Sequence, residues 1–511
     1  MDYLELAPLF KDHMVIQRDK QIIVWGQGPE NAVVEVVFDK MKASCVIKNH
    51  RWQCLLTSHG PAEGLFMTVK TDIPGFPEKV IRDIAVGDVW IAAGQSNMEY
   101  FLRYDAQWDT IQKTEKNLKI RMFNVPRLAF EGQQKDISDS GYWFFEGDSA
   151  WETFSAPGYC FAKALQPVIH VPVGIIGCNW GGTPAGAWIE ESYLKETPYN
   201  IILEEYAREM AGKDMDSLRH EAMEAFAFED SPKHQDEWKP MMYGLDERQQ
   251  KLWMEEHCND PFIPLGPWHQ NRPSGLFHQM VEKVAPFSVK GVLWYQGESD
   301  EHHAPLYDKI LERMIECWRD TWHDHLPFLI VQLAPFGRWL ACTGENYPEV
   351  RRRQEMVSEN VSDVYMTSVM DLGMYEDIHP KHKKEVGERL SLLARGCVYG
   401  EDIVCRPPKC ISCEAKNQTI LLKFDRAGDG LLLTSDQVNG LKMTVNHEDL
   451  KVLSAKAEGD CLSITVDRQV NGLCTVSFAE MDYVEVNLFN SAGLPAMPFY
   501  REFKISDREN G

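Results

Sequence analysis

The segment Gly94-Gln95-Ser96-Asn97-Met98-Glu99 follows the apolar run Val89-Trp90-Ile91-Ala92-Ala93, which puts a serine where a buried strand is expected to turn into a helix. Such a turn lifts a side chain clear of the sheet edge and sets its oxygen beside first-turn N–H groups that lack intrahelical partners. Ser96 is therefore the candidate nucleophile, and the chain reads first as an enzyme. A hydroxyl needs a base titrating near neutrality to lose its proton. His379 supplies one. It precedes Pro380, which suits the first turn of a helix, and Val386, Leu390, Leu393 and Ala394 continue at helical spacing. The base in turn needs an acceptor on its other nitrogen to fix the tautomer. Asp377, two residues upstream, is one candidate. Glu298, in Trp294-Tyr295-Gln296-Gly297-Glu298-Ser299-Asp300, is the other. Alternation along an extended segment turns Asp377 away from the histidine unless the loop bends, so both stay open.

A second loop, Gly177-Cys178-Asn179-Trp180-Gly181-Gly182-Thr183-Pro184-Ala185, is glycine-rich and lets backbone N–H groups approach a ligand closely. A donor from this loop and one from Ser96 could hold an oxyanion, and the Gln296 amide could donate to the same developing charge.

The elements that must position these loops follow from apolar runs at 89–93, 171–176, 289–295, 328–333 and 364–370, which alternate with helical segments. That rhythm predicts an α/β fold, a parallel sheet covered by helices on both faces, with its ligand site beyond the carboxyl ends of the strands. Residues 1–84 alternate short β-branched runs with turn signals, as expected for a small β-sandwich. The catalytic region spans 85–400 and is interrupted at about 191–270 by an acidic, helix-prone insertion too long for a plain loop. The insertion is read either as a wall over the site or as a solvated helical decoration. From 401 to 511 the β pattern returns.

Composition bounds the function. The chain has 511 residues, 44% of them hydrophobic and 25% charged, as in soluble globular proteins. A formal charge of −24 opposes contact with phosphate backbones or anionic lipid, so neither nucleic acid nor a membrane is expected as a partner. The amino terminus lacks a basic segment followed by an apolar one, so a cytoplasmic location is expected. A homo-oligomer is left open. Thirteen cysteines read as reduced thiols. Cys397, Cys405, Cys410 and Cys413 cluster, but only the last two have zinc-knuckle spacing, and packed thiols at a domain junction are expected.

The blocks GQSNM, NWGGTPAGAW, WYQGESD and DIHP with VGERL beyond it resemble, in order and spacing, those of the sialate O-acetylesterase family of the SGNH hydrolases. The resemblance spans nearly the whole chain, from Phe10-Lys11-Asp12-His13-Met14 to Asn490-Ser491-Ala492-Gly493-Leu494. It implies a three-layer α/β/α domain flanked by β-sandwich-like regions, and hydrolysis of sugar acetyl esters with Ser96 as nucleophile and His379 as base. Gly182 and Gln296 match the oxyanion donors of the wider group, and no metal or cofactor is implied. The aspartate expected three residues before the histidine is here Glu376, whereas a QGE loop in related acetylesterases points to Glu298. The implied substrates are O-acetyl sialic acid or acetylated plant-glycan fragments of xylan or xyloglucan. Arg272 is the candidate for a sialate carboxylate, and Trp180, Trp188, Trp268 and Trp294 for stacking on sugar rings. A carbohydrate-binding protein with a degenerate esterase fold is the rival expectation.

Overall fold

The structure, a computed structural model, describes residues 4–133, 141–229, 231–257 and 260–505. Six parallel strands make its centre: β1 (Lys79–Gly94), β2 (Ile120–Asn124), β3 (Val173–Asn179), β4 (Gly291–Tyr295), β5 (Phe328–Val331) and β6 (Val364–Thr367). They lie in the order β2-β3-β1-β4-β5-β6, with the short strand Trp143–Phe144 antiparallel to β2. Every residue of β3, β4 and β5 is buried, so neither face of the sheet meets water. The chain leaves β1 to build one side of the sheet, then crosses back to build the other. That reversal opens a crevice at the carboxyl end of β1, where ligands bind in open α/β sheets.

The helices follow from the sequence pattern. In Tyr307–Trp322 the buried residues Tyr307, Ile310, Leu311, Met314, Ile315, Trp318 and Trp322 recur at three and four positions, one face of a helix. This helix packs on Tyr347–Asn360, which lies on β6. Ala156–Ile169 is started by Ser155, whose hydroxyl accepts from the Gly158 N–H at 3.1 Å, with Pro157 in the first turn. It packs against Lys383–Cys397, the helix that follows His379.

β1 is long enough to serve two regions. Its first half pairs with Ala62–Thr71 and Val15–Gln17, and its second with β3 and β4. Residues 84 and 85, the expected boundary, therefore sit inside one strand. The amino-terminal β residues, among them Val24, Val36 and Trp52, share a continuous core with the parallel sheet. At the other end two four-stranded antiparallel sheets enclose a separate core, with Ile420, Leu422 and Ile464 from one and Met443, Val476 and Phe499 from the other. Backbone bonds such as Phe336 N–H to the Asp482 carbonyl, 3.0 Å, join this part to the loop after β5. The sulfurs of Cys397 and Cys405 lie 3.6 Å apart and those of Cys410 and Cys413 3.8 Å apart, two separate pairs. No described helix is long and apolar enough to cross a membrane.

At Gly387 the two helices behind the site leave no room for a side chain: a Cβ there would stand 2.6 Å from both Cys160 Cβ and the Phe161 nitrogen. Gly387→Ala should therefore overpack the contact by about 1–3 kcal/mol and lower the thermal unfolding midpoint. An unchanged midpoint would mean that the helices part without cost.

Candidate active site

Ser96 opens the short helix Ser96–Glu99 directly after β1. Gly94 has φ +136°, and a Cβ on it would meet the Tyr295 carbonyl at 2.1 Å, so the turn needs glycine. The glycine-rich loop after β3 is fastened across this turn. The Trp180 N–H donates to the Gly94 carbonyl at 3.1 Å, and the Gly181 N–H donates to Glu99 Oε2 at 2.5 Å. Glu99 also pairs with Arg127. A Cβ on Gly181 would lie 3.3 Å from Ser96 Cβ, which measures how closely the loop covers the serine. Gly182 is exposed at φ +72°, and its N–H meets no protein acceptor among the described residues.

Asn97 joins three strand ends. Its Nδ2 donates to Glu298 Oε1, from the loop after β4, and to the Ile378 carbonyl at 3.0 Å, from the loop after β6. Its Oδ1 accepts from Lys383 Nζ. Lys383 is fully buried, and burial pulls its pKa down to about 7 against the opposing pull of Glu298 and Asp377. Its ammonium faces the rings of Tyr100 at 4.9 Å and Tyr295 at 5.3 Å, which favour the charged form. Burial pushes the Glu298 carboxyl up, and the bonds from Asn97 and the charge of Lys383 only partly offset it. Gln95 adds a further tie, its Oε1 accepting from the Ser299 N–H at 3.2 Å.

His379 is 1% exposed and lies edge-on to Tyr243 at 5.1 Å and Trp339 at 5.4 Å. Burial pulls its pKa below 6.5, and Lys383 and Lys381 add to that against the attraction of Asp377. The Asp377 carboxylate accepts from the His379 backbone N–H at 2.8 Å, a turn that curls the loop and brings its Oδ1 to 3.5 Å from Nδ1. That approach lies outside hydrogen-bond geometry, and Nδ1 is otherwise unpartnered. Burial pushes the Asp377 carboxyl up, but His379 and Lys381, whose Nζ is 2.7 Å away, outweigh it and hold it below the usual range. Ser96 and His379 make no hydrogen bond to each other; such bonds are commonly long before substrate binds. Their segments are linked through Asn97, which follows the serine and donates to the carbonyl of Ile378, the residue before the histidine.

Several expectations change. Gln296 does not offer a spare N–H to an oxyanion: its amide donates to the Thr183 carbonyl at 3.2 Å and to Asp300 Oδ2, and its oxygen accepts from Tyr307 at 2.8 Å. It pins the loop instead. Trp188 and Trp294 are fully buried and pack edge-on to each other, which removes them from any sugar, whereas Trp180 and Trp268 are half-buried against the small cluster of Ala129, Ala225, Phe226 and Ile263. Glu376 is exposed and paired with Arg338 at 3.5 Å. Of the two acids left open, Asp377 is the one beside His379, because an aspartate side chain folding onto its own loop beats the alternation expected of an extended segment. Glu298 faces Asn97. Arg272 is half-buried, donates from Nε to the Ala129 carbonyl at 3.3 Å and has no carboxylate partner among the described residues.

The insertion touches this centre. Tyr243, from Pro232–Gly244, lies on His379, and Gln250, from Glu247–Glu256, accepts from the Trp339 indole at 2.6 Å. Asn97, Lys383 and Glu99 are the residues that sequence reasoning missed. Asn97 and Glu99 stood in the block around the serine. Lys383 carried no signal, since a lysine near a helix start reads as exposed.

Ser96, Glu298 and His379 thus stand on segments at the carboxyl ends of parallel strands that Asn97 joins. The sequence pattern of a family described as carbohydrate esterase, sialic acid-specific acetylesterase, matches residues 86–222 and 264–393. The chain belongs to that family, and it is an ester hydrolase. It is 24% identical over 463 residues to the sialate O-acetylesterase of Rattus norvegicus, covering 82% of this chain and 79% of the relative. The sialate O-acetylesterase of Homo sapiens is 24% identical over 434 residues, covering 77% and 71%. The crystal structure of a carbohydrate acetylesterase from Xanthomonas citri superposes with a TM-score of 0.74 at 27% identity, covering 98% of this chain and 99% of that one. Tyr243 and Gln250 fall in the stretch between the two matched segments.

Removing the lysine beneath Asn97 tests this arrangement. Lys383→Met leaves a buried carboxylate without its counter-charge and should destabilise the protein toward the roughly 3–5 kcal/mol of a broken buried pair. Adding Glu298→Gln should recover part of that loss in a double-mutant cycle of denaturant unfolding. Strictly additive losses would mean that the two charges do not sense each other.

Proposed function

We propose that this protein hydrolyses acetyl esters of sugars through a covalent acetyl-serine, with Ser96 as nucleophile, His379 as base and Asp377 as the partner of His379. The observation that carries the reading is the Asn97 bond to the Ile378 carbonyl, which ties the residue after the serine to the residue before the histidine. Ser96 Oγ attacks the acetyl carbonyl while neutral His379 takes its proton, and Asp377 stabilises the imidazolium. The oxyanion accepts from the N–H groups of Ser96 and Gly182, each such donor being worth roughly 3 kcal/mol of barrier. His379 returns the proton to the departing sugar hydroxyl. Water, deprotonated by the same histidine, then attacks the acetyl-serine and releases acetate. No step calls on a metal.

The names of the relatives support a sugar acetyl ester as substrate, either O-acetyl sialic acid or an acetylated xylan or xyloglucan fragment. Arg272 is the residue proposed for a sialate carboxylate: it lacks an acidic partner among the described residues and binds the loop that holds Arg127 and, through it, Glu99. Trp180 borders the same wall. An SGNH-type three-layer catalytic domain with β-sandwich-like ends is the proposed architecture, and the cytoplasm the proposed location.

Ser96→Ala and His379→Ala should each lower turnover of p-nitrophenyl acetate by several orders of magnitude. Asp377→Asn should cost at least about a hundredfold and more than Glu298→Gln; the opposite order would move the role to Glu298. Because burial depresses the pKa of His379, the base is already neutral at pH 7, and the acid limb of kcat/KM should turn below pH 6.5. A limb centred above that value would contradict the assignment. For substrate, Arg272→Ala should raise KM for acetylated sialic acid and leave a neutral acetylated xylo-oligosaccharide unaffected. Equal losses on both would remove Arg272 from carboxylate recognition.

A further inference from the structure

Two consecutive histidines follow the loop that carries Glu298, and nothing in the ester chemistry uses them. They lie in the stretch Glu298–Leu306, whose helical geometry breaks at His303, with φ −104° and ψ 18°. Consecutive side chains on a regular helix diverge by about 100°. The break instead brings the His302 and His303 rings to 4.0 Å. The insertion helix Asn200–Met210 supplies Glu205, whose Oε2 lies 2.9 Å from His303 Nε2. One donor atom from each of the three residues falls within 4.8 Å of the others, and no other set of three His, Cys, Asp or Glu side chains converges so among the described residues.

We propose that Glu205, His302 and His303 bind a divalent first-row transition cation of the zinc class, clamping the insertion to the loop after β4. Two imidazoles and a carboxylate suit zinc, cobalt or nickel, whereas calcium and magnesium require mostly oxygen. Donors at about 2.1 Å from a tetrahedral ion stand roughly 3.4 Å apart; the Glu205–His303 pair is at 2.9 Å and all three donors lie within 4.8 Å of one another. Three protein ligands leave a fourth position to water. His303 already faces the carboxylate that would share the ion, so binding exchanges one contact for three ligand bonds. The His302 ring is exposed and the Glu205 side chain lies on the protein surface, so both can adjust to an ion. The site lies four and five residues past Glu298, so a bound cation stiffens the loop without entering the reaction.

The test uses the full chain, dialysed against a chelator and titrated with cobalt(II) and with zinc near neutral pH. Saturable binding of one equivalent is expected, with weak visible d–d bands for cobalt, no thiolate charge-transfer bands, and a higher unfolding midpoint in zinc. Glu205→Gln and His303→Ala should each weaken binding by more than about tenfold while ester hydrolysis and the circular dichroism spectrum persist. Glu205 stands on a solvent-facing helix, so its variant reports even if His303→Ala folds poorly. No saturable binding, binding unchanged in both variants, or thiolate bands that assign the ion to the cysteine pairs would each overturn the proposal.

Discussion

One side-chain amide holds the site together. Asn97 gives one hydrogen to a carboxylate from the loop after β4, the other to a carbonyl from the loop after β6, and takes a third bond from the lysine of the following helix. The carboxylate comes from the segment after β4, the carbonyl and the lysine from the segment after β6; Glu298 and Lys383 are buried and Ile378 partly so. A buried amide left half-satisfied costs more than it returns, so the three segments are held in one arrangement or the amide loses its reason to be there. The serine, next to Asn97, and the histidine, next to Ile378, inherit their relative position from that constraint.

The electrostatics follow from the same burial. Lys383 and Glu298 are both taken out of water, one pulled toward losing its proton and the other toward gaining one. Asn97 stands between them and lets each stabilise the other without direct contact. His379, under two aromatic edges, has its pKa lowered by burial, toward the neutral state a base must hold before it acts, while His379 and then Lys381 hold the Asp377 carboxyl below its usual range. The insertion supplies one of those aromatic edges, so a segment that the family pattern passes over shapes the environment of the histidine.

Much of this was legible in the sequence. The parallel strands and the loops at their carboxyl ends follow from apolar runs alternating with helical spacing, and Ser96 and His379 stand out because each sits where such a run gives way to a helix. The choice between Asp377 and Glu298 was not legible, because it turns on whether two residues of loop bend back, a matter of one side-chain bond to a backbone N–H. Gln296 looked available as a donor because its competitors, the Thr183 carbonyl and Asp300, come from elsewhere in the fold or from a turn whose shape the sequence does not print. Lys383 was hidden for the opposite reason: its type predicts solvent, and only the packed structure surrounds it with tyrosines and a carboxylate. The boundary near residue 84 was drawn at a change of rhythm, yet a single strand runs through it and serves both sides.

The account stands on Ser96 and His379 acting as a pair. Labelling with a fluorophosphonate ester, followed by peptide mass mapping, tests it directly, since such reagents modify a serine only when a neighbouring base activates it. The account predicts one adduct, on the peptide containing Ser96, formed in the wild type and absent in His379→Ala. An adduct at another residue, or labelling of Ser96 at an undiminished rate without the histidine, would contradict it.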